Sequence, residues 1–169
     1  WRSAASDPPI TRCHLSVAFA RSPPGRGHPQ DPTVQVHGVQ LSVVVLGEGP
    51  LRSQLEQQRR QLMLEDTVSF VGWFDNAATR ALPDFDVFFQ PSRWEAMSIA
   101  VLEAMAVGKA IVATRVGDNP QVLEHEVTGL LVEPGKTDDM TEALLRLSDP
   151  GLRHRLGDEA RVLFHRRFA

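Results

Sequence analysis

Short apolar runs alternate with helical patterns along most of this chain, and this alternation is the strongest constraint on its fold. The runs at 41–46 and 110–114 are short and β-branched, as buried strands are, and a turn signal follows each of them. Strands that alternate with helices are typical of a parallel sheet with right-handed crossovers. We therefore predict an α/β fold, with a Rossmann-like parallel sheet over about residues 15–148 and helices on both of its faces.

The same patterns predict where the individual elements begin and end. Strands are predicted at 15–20, 41–46, 68–71, 86–90, 110–114 and 129–132. Helices are predicted at 51–62, 99–107, 137–147 and 151–166, with short helices near 76–82 and up to residue 124.

Prolines interrupt the first forty residues and argue against a long helix there. They stand at positions 8, 9, 23, 24, 29 and 32. We predict an irregular segment at 1–14, followed by one domain at 15–169 that contains an irregular proline-rich stretch at 22–38. The chain opens with Trp1 rather than methionine, so we expect a fragment of a longer protein.

Composition narrows the class of protein. The chain has 169 residues, of which 42% are hydrophobic, and a net charge of −3, which suits one soluble domain with a sizeable core and does not suggest a nucleic-acid binder. A single cysteine, Cys13, excludes a disulfide within the chain and is compatible with a reducing compartment. No apolar run approaches the roughly 18 residues that a membrane span needs. We expect a cytoplasmic location.

Two glutamates, Glu95 and Glu103, are separated by seven residues, and Glu103 lies in a predicted helix that is otherwise apolar on every side. Such a helix should be buried, and a lone buried carboxylate is costly unless something pairs with it. Ligand hydroxyls suit this role, because each carboxylate oxygen accepts hydrogen bonds; the alternative partner is the backbone or an arginine. Residues 95–98 follow the strand at 86–90, and ligands of open parallel sheets bind at such strand-to-helix loops.

The stretch 92–132 resembles the nucleotide-sugar-binding signature of the retaining, two-domain Rossmann-type glycosyltransferases, most closely glycosyltransferase family 4. The matching motifs are the Pro-Ser-x-x-Glu that ends at Glu95, the Leu-Glu-Ala-Met-Ala around Glu103, the Gly108 stop, the strand at 111–114 and the Thr-Gly-Leu-Leu-Val at 128–132; upstream, 46–50 and 70–72 stand in the expected order. The resemblance covers about 39–148 well. It implies the donor-binding half of a GT-B type fold, without the N-terminal acceptor lobe.

The resemblance also implies an activity. A sugar would pass from a nucleotide-diphosphate donor to a hydroxyl of an acceptor, which is a glycan, a lipid or a small molecule, with retained configuration and without a metal or other cofactor. Glu103 would accept hydrogen bonds from the ribose, and Glu95 would bind sugar hydroxyls near the reacting centre. The backbone amides of the helix N-terminus would face sugar and phosphate. These amides belong to Ala96, Met97, Ser98 and Ile99; an ordinary N-cap role explains Ser98 equally well.

A basic pair is expected at the donor diphosphate. In this family an arginine precedes a Lys-Gly pair, and here Arg21 takes the first position, Arg26 replaces the lysine and Gly27 follows. Arginine clamps phosphate through two parallel N–H groups, although it does not reproduce the compact charge of lysine. The alternative is a disordered proline-rich tail with solvated arginines.

Two glycine-containing turns complete the predicted donor site. Gly47 and Gly49 follow a strand, where they allow either close backbone approach to the donor or a tight turn into the next helix. They do not form the dinucleotide fingerprint, because Arg52 occupies the place of its third glycine, so a nicotinamide enzyme is disfavoured. Val71 and Gly72 would hold the base through backbone groups, or simply end a strand.

Several features keep other functions open. Asp118 and Gln121 replace a glycine and a glutamate that are common in the family. A nucleotide-sugar-binding module or degenerate fragment without catalysis is therefore the alternative, and the isolated chain is expected to be inactive without its acceptor lobe. A regulatory domain that binds nucleotides or sugar phosphates rests on fold analogy alone.

Charged side chains elsewhere are less specific. The six histidines show no metal-ligand spacing. The last predicted helix is basic, which favours either weak contact with an anionic membrane surface or a solvated helix face. Its arginines are Arg153, Arg155, Arg161, Arg166 and Arg167.

Overall fold

A computed structural model describes the backbone of residues 16–20, 34–36, 39–73, 76 and 80–168, and side chains from residue 41 onward. The strands are β1 (Ser16–Ala20), β2 (Val34–Val36), β3 (Val39–Leu46), β4 (Val68–Gly72), β5 (Val87–Gln90), β6 (Ala110–Thr114) and β7 (Leu130–Val132). The helices are α1 (Arg52–Gln61), α2 (Ile99–Ala106), α3 (Asn119–Val122), α4 (Thr137–Arg146) and α5 (Pro150–Arg167), with a 3₁₀ turn at Leu82–Asp84.

The strand order is that of a Rossmann fold. Six strands lie side by side in the order β4–β3–β1–β5–β6–β7, while β2 pairs with the first residues of β3. The pairs β3–β4, β5–β6 and β6–β7 are parallel. Without β2, the chain order of these strands reads 3-2-1-4-5-6, the order of doubly wound nucleotide-binding sheets. The predicted α/β class is confirmed.

The sheet is parallel, as predicted, in the pairs β3–β4, β5–β6 and β6–β7, but not at β1 and β2. β1 runs antiparallel to both β3 and β5, and β2 forms an antiparallel pair with β3. Parallel neighbours need a crossover of a dozen or more residues, usually a helix, whereas the sequence between β1 and β3 carries four prolines and the strand β2. The stretch predicted to be irregular, 22–38, therefore contains a strand, in which Val34 pairs with Leu41 and Val36 with Val39.

Apolar residues of β6 face both sides of the sheet. All five residues of this strand are buried; Ala110 and Val112 join one core cluster, and Ile111 and Ala113 join the other. The first cluster is completed by α4 and the first half of α5, and the second by α2 and the second half of α5. Each fully buried aliphatic side chain contributes about 1.5–3 kcal/mol. Helices thus cover both faces, as predicted.

Helix α2 is less buried than its sequence predicts. Val101, Ala104 and Met105 are buried, but Ile99 is 68% exposed and Glu103 is half-buried. The helix packs against β5, β6 and α5, which leaves one side open. Within the described part of the chain, no helix is both long and apolar enough to cross a membrane.

Candidate functional site

The predicted site residues that the structure describes gather at one edge of the sheet. Because β1 is antiparallel to both of its neighbours, β3 and β5 point the same way, and so do β4, β6 and β7. Gly47 and Gly49 follow β3, Gly72 ends β4, and Glu95 lies between β5 and α2. Ligands of doubly wound sheets bind at this carboxyl edge, where the strand order reverses.

Glu95 is buried and already held by the protein. Its side chain is 8% exposed, and its Oε1 accepts hydrogen bonds from Ser92 Oγ at 2.7 Å and Gln90 Nε2 at 3.3 Å. A buried carboxylate needs such donors, because it would otherwise lose the hydrogen bonds that water provides. The second oxygen, Oε2, forms no hydrogen bond with another described residue. Glu95 is therefore oriented by one oxygen and can accept from a ligand with the other.

Buried hydrogen bonds extend from Glu95 across two strands. Gln90 Nε2 donates to Ser98 Oγ at 2.6 Å, and Thr114 Oγ1 donates to Ser92 O at 2.6 Å. Asn119 Nδ2 donates to Thr114 O at 3.0 Å and to Gln90 Oε1 at 3.4 Å. The sequence motifs did not predict this network. The sequence did contain a signal for it in Gln90 and Asn119, because polar residues at the ends of buried elements must find hydrogen-bond partners.

The loop after β6 packs directly on the loop that carries Glu95. Gly117 has a φ of 53°, and a Cβ there would overlap the carbonyl oxygens of Glu95 and Ala96. Asp118 N donates to Ala96 O at 2.9 Å, which joins the two loops. Gln121 Nε2 donates to Asp118 Oδ1 at 3.4 Å, so the two residues that depart from the family motif contact each other.

The N-terminus of α2 presents unpaired backbone donors. Ser98 Oγ accepts from Val101 N at 3.3 Å, so the N-cap role that we considered for this serine is confirmed. Within the described residues, no hydrogen bond is donated by the amides of 96–99. Unpaired amides and the helix dipole together favour an anion at this position.

Glu103 is half-buried, and its carboxylate has no hydrogen bond or ion pair with any described residue. Burial raises the pKa of Glu103 above its ordinary value of 4.5, because the charged form is desolvated. The alternative of a core ion pair with an arginine is therefore not found in the part of the chain that the structure describes. A carboxylate in this state can accept hydrogen bonds from ligand hydroxyls.

The ends of β3 and β4 are joined through two glycines. Gly47 N donates to Gly72 O at 2.8 Å, and both residues have positive φ, 135° and 88°. Gly49 O accepts from Arg52 N at 3.0 Å, so the tight turn into α1 is present. Val71 is 50% exposed at the end of β4. Close approach of these backbones to a ligand stays a prediction.

Three further observations bound the site. Arg21 and Arg26 lie outside the described residues. Among the side chains that are described, no group of three histidine, aspartate or glutamate residues is placed to hold a metal ion. A cavity of about 240 Å³ between β7 and α4 is lined by none of the predicted site residues.

Comparison with known proteins identifies the family to which this chain is similar. The model of the family "Glycosyl transferases group 1" matches residues 32–149. The chain is 34% identical over 131 residues to N-acetyl-alpha-D-glucosaminyl L-malate synthase of Bacillus anthracis, a match that covers 77% of this chain and 34% of that protein. The chain spans about a third of the length of the curated relatives that it matches first.

Solved structures share the fold. Sucrose-phosphate synthase of Thermosynechococcus elongatus superposes with a TM-score of 0.69 and 29% identity, covering 74% of this chain and 34% of that one. HepE of Anabaena, solved in complex with UDP, gives a TM-score of 0.68 at 24% identity and covers 74% of this chain and 36% of that one. These likenesses confirm the Rossmann-like domain of the GT-B type.

Proposed function

Because this chain belongs to the group 1 glycosyl transferase family, we propose that it is the donor-binding half of a retaining glycosyltransferase that uses a nucleotide-diphosphate sugar. The observation that carries the proposal is the half-buried carboxylate of Glu103, which follows the carboxyl edge of the sheet and has no partner among the described residues. The names of similar proteins support it, since one is an N-acetylglucosaminyl malate synthase and HepE was solved with UDP and with UDP-glucose.

Each part of the donor has a complementary group in this arrangement. Glu103 accepts hydrogen bonds from the ribose hydroxyls, and the backbone at Val71 and Gly72 meets the base. The diphosphate lies at the amides of 96–99, because unpaired N–H groups and the helix dipole stabilise negative charge. The resemblance also assigns Arg21 and Arg26 to the diphosphate; these two lie outside the described residues, and β1 ends with Ala20 beside Ser42, at the edge of the sheet opposite Gly47 and Glu95, so they do not carry the proposal.

The reaction proceeds on one face of the sugar. The bond between the anomeric carbon and the diphosphate oxygen breaks, and a bond to the acceptor oxygen forms on the same side. The leaving phosphate takes the acceptor proton, so no pair of acid and nucleophile carboxylates is needed. Glu95 holds a sugar hydroxyl through Oε2, while Ser92 and Gln90 fix its Oε1. Developing charge on the diphosphate is stabilised by the N-terminus of α2 instead of a metal ion.

Nucleotide binding tests the site. We expect calorimetry with UDP, GDP and ADP to show binding of at least one, and Glu103→Gln to weaken it about tenfold to a hundredfold, because a hydrogen bond to a charged acceptor is worth roughly 1.5–3 kcal/mol. Glu159→Gln is the matched control, since Glu159 is exposed on α5. A wild-type chain that binds none of the three nucleotides would contradict the proposal.

The product of the full-length protein tests the chemistry. A retained anomeric configuration, with turnover in the presence of a chelator, is the expected result. An inverted product, or a strict need for a divalent ion, would overturn the retaining assignment. Nucleotide binding by this chain without sugar transfer by the full-length protein would instead favour a nucleotide-sugar-binding module.

A further inference from the structure

Arg52, the first residue of α1, donates three side-chain hydrogen bonds at the other half of the site. Its Nη1 donates to Glu48 Oε1 at 2.7 Å, its Nε to Glu56 Oε1 at 2.9 Å and its Nη2 to Phe70 O at 3.1 Å. The guanidinium carbon also lies 5.9 Å from the centre of the Phe70 ring. One side chain thus connects the turn after β3, the helix α1 and the strand β4.

This arrangement lies directly against the backbone of Gly72. A Cβ at Gly72 would stand 2.6 Å from Glu48 Oε1 and 3.2 Å from Arg52 Nη1, so the ion pair lies directly over this glycine. The neighbours of Gly72 point outward, with Val71 50% and Trp73 74% exposed. The pair formed by Glu48 and Arg52 therefore shapes the exposed surface at the end of β4.

We propose that Arg52 is a positioning residue for the nucleobase end of the donor site, where it holds the Glu48 carboxylate across Gly72 and fixes the joined ends of β3 and β4. This inference rests on the proposed function, because it assumes that the base lies against Val71 and Gly72. Its consequence is base selection. A carboxylate held in one place accepts from base N–H groups and repels base carbonyl oxygens, so the three nucleotides should bind with different affinities.

Lysine cannot replace arginine in this role. The planar guanidinium presents several donors in a fixed fork, whereas an ammonium group is a single compact charge on a flexible stem. Arg52→Lys keeps the charge but cannot reach Glu48, Glu56 and Phe70 O together.

The chain provides a matched control in Arg59, seven residues later on α1. Its Nη1 donates to Val68 O at 2.9 Å, and its guanidinium carbon lies 5.7 Å from the centre of the same Phe70 ring. Arg59 therefore makes the same kind of contact to the same strand, but at its amino end, away from Gly72. Arg52 donates three side-chain hydrogen bonds to described residues and Arg59 one, so a purely structural role of Arg52 would change all nucleotide affinities by one factor, as a change at Arg59 would, and would leave their ratio unchanged.

The experiment compares the wild-type chain with Arg52→Lys, Arg59→Lys and Glu48→Gln by calorimetry with UDP, GDP, ADP and inorganic pyrophosphate. We expect Arg52→Lys to weaken binding of the tightest nucleotide about tenfold. The ratio of affinities between the tightest and the weakest nucleotide should fall at least about fivefold. Pyrophosphate binding and all affinities of Arg59→Lys should stay within about twofold of wild type. Glu48→Gln leaves the other Arg52 contacts in place and should reduce the ratio of affinities between the tightest and weakest nucleotide with only a slight fall in Tm.

Other results overturn the inference in distinguishable ways. If the wild-type chain binds nucleotides but both arginine variants shift all of them by one factor, Arg52 has only a structural role and donor binding stands. The same conclusion follows if neither Arg52→Lys nor Glu48→Gln changes the base ratio. If the wild-type chain binds no nucleotide, the proposed function fails and the inference fails with it.

Discussion

The two halves of the site are stabilised by different means. Around β5 and α2, buried neutral side chains such as Gln90 and Asn119 form hydrogen bonds that water cannot replace. Around β3 and β4, the contacts are ion pairs of Arg52 with glutamates that are 53% and 32% exposed, placed over a glycine. Buried polar groups are costly to leave unpaired, whereas exposed ion pairs are screened by solvent. Substitutions in the first half should therefore lower the free energy of unfolding, whereas substitutions in the second half should mainly change ligand affinity.

The largest effect is expected at Gly117. In Gly117→Ala the new Cβ overlaps two backbone carbonyls and the residue keeps a positive φ, so we expect a loss of about 3 kcal/mol in the free energy of unfolding. Urea denaturation measures this. Gly135→Ala is the control, because Gly135 also has a positive φ but a Cβ there would meet no atom within 4 Å, and it should cost about 1 kcal/mol. Equal costs would mean that the two loops do not constrain each other.

A smaller loss is expected at Gln90. Gln90→Ala leaves Ser98, Glu95 and Asn119 without one partner each, and an unsatisfied buried group costs about 1–3 kcal/mol, so we expect a loss of about 2–3 kcal/mol. The same denaturation assay applies, with the exposed Gln121→Ala as a control that should change stability by less than about 0.5 kcal/mol. A Gln90 variant as stable as wild type would remove the contrast between the halves.

Glu103 should show its environment through pH. Burial raises its pKa above the ordinary 4.5. At pH values between the ordinary pKa and the raised pKa of the folded state, the native state therefore binds more protons than the unfolded state. The contribution of Glu103 to stability therefore falls as the pH rises through that window and does not change further at higher pH. We expect Glu103→Gln to raise Tm at neutral pH and to match wild type below the ordinary pKa. A lower Tm at neutral pH would indicate a protein partner for this carboxylate.

The smallest effect is expected at Glu48. Glu48→Gln removes an exposed ion pair with Arg52, so the free energy of unfolding should fall by at most about 0.5 kcal/mol and the difference should shrink in roughly 1 M salt. Thermal melts at low and high salt measure it. A loss as large as that of Gln90→Ala would show that the two halves are stabilised alike.

Much of the fold follows from local pattern. The bounds of α1, α2 and β6 lie within one residue of prediction, because hydrophobic periodicity and turn residues act over a few positions. The placement of Glu95 and Glu103 beside the carboxyl edge follows in the same way, since a strand, a loop and a helix succeed one another there.

Only the tertiary structure decided the direction of the strands and the partners of the polar side chains. An alternating pattern is the same when read in either direction, so it could not reveal that β1 runs antiparallel to its neighbours. Local pattern also predicted a fully buried α2, but the number of faces that are covered depends on α5, far along the chain. The contacts of Gln90 with Asn119 and of Arg52 with Phe70 O join residues that are distant in sequence. Such pairings depend on how the whole chain packs, and no short stretch of sequence contains them.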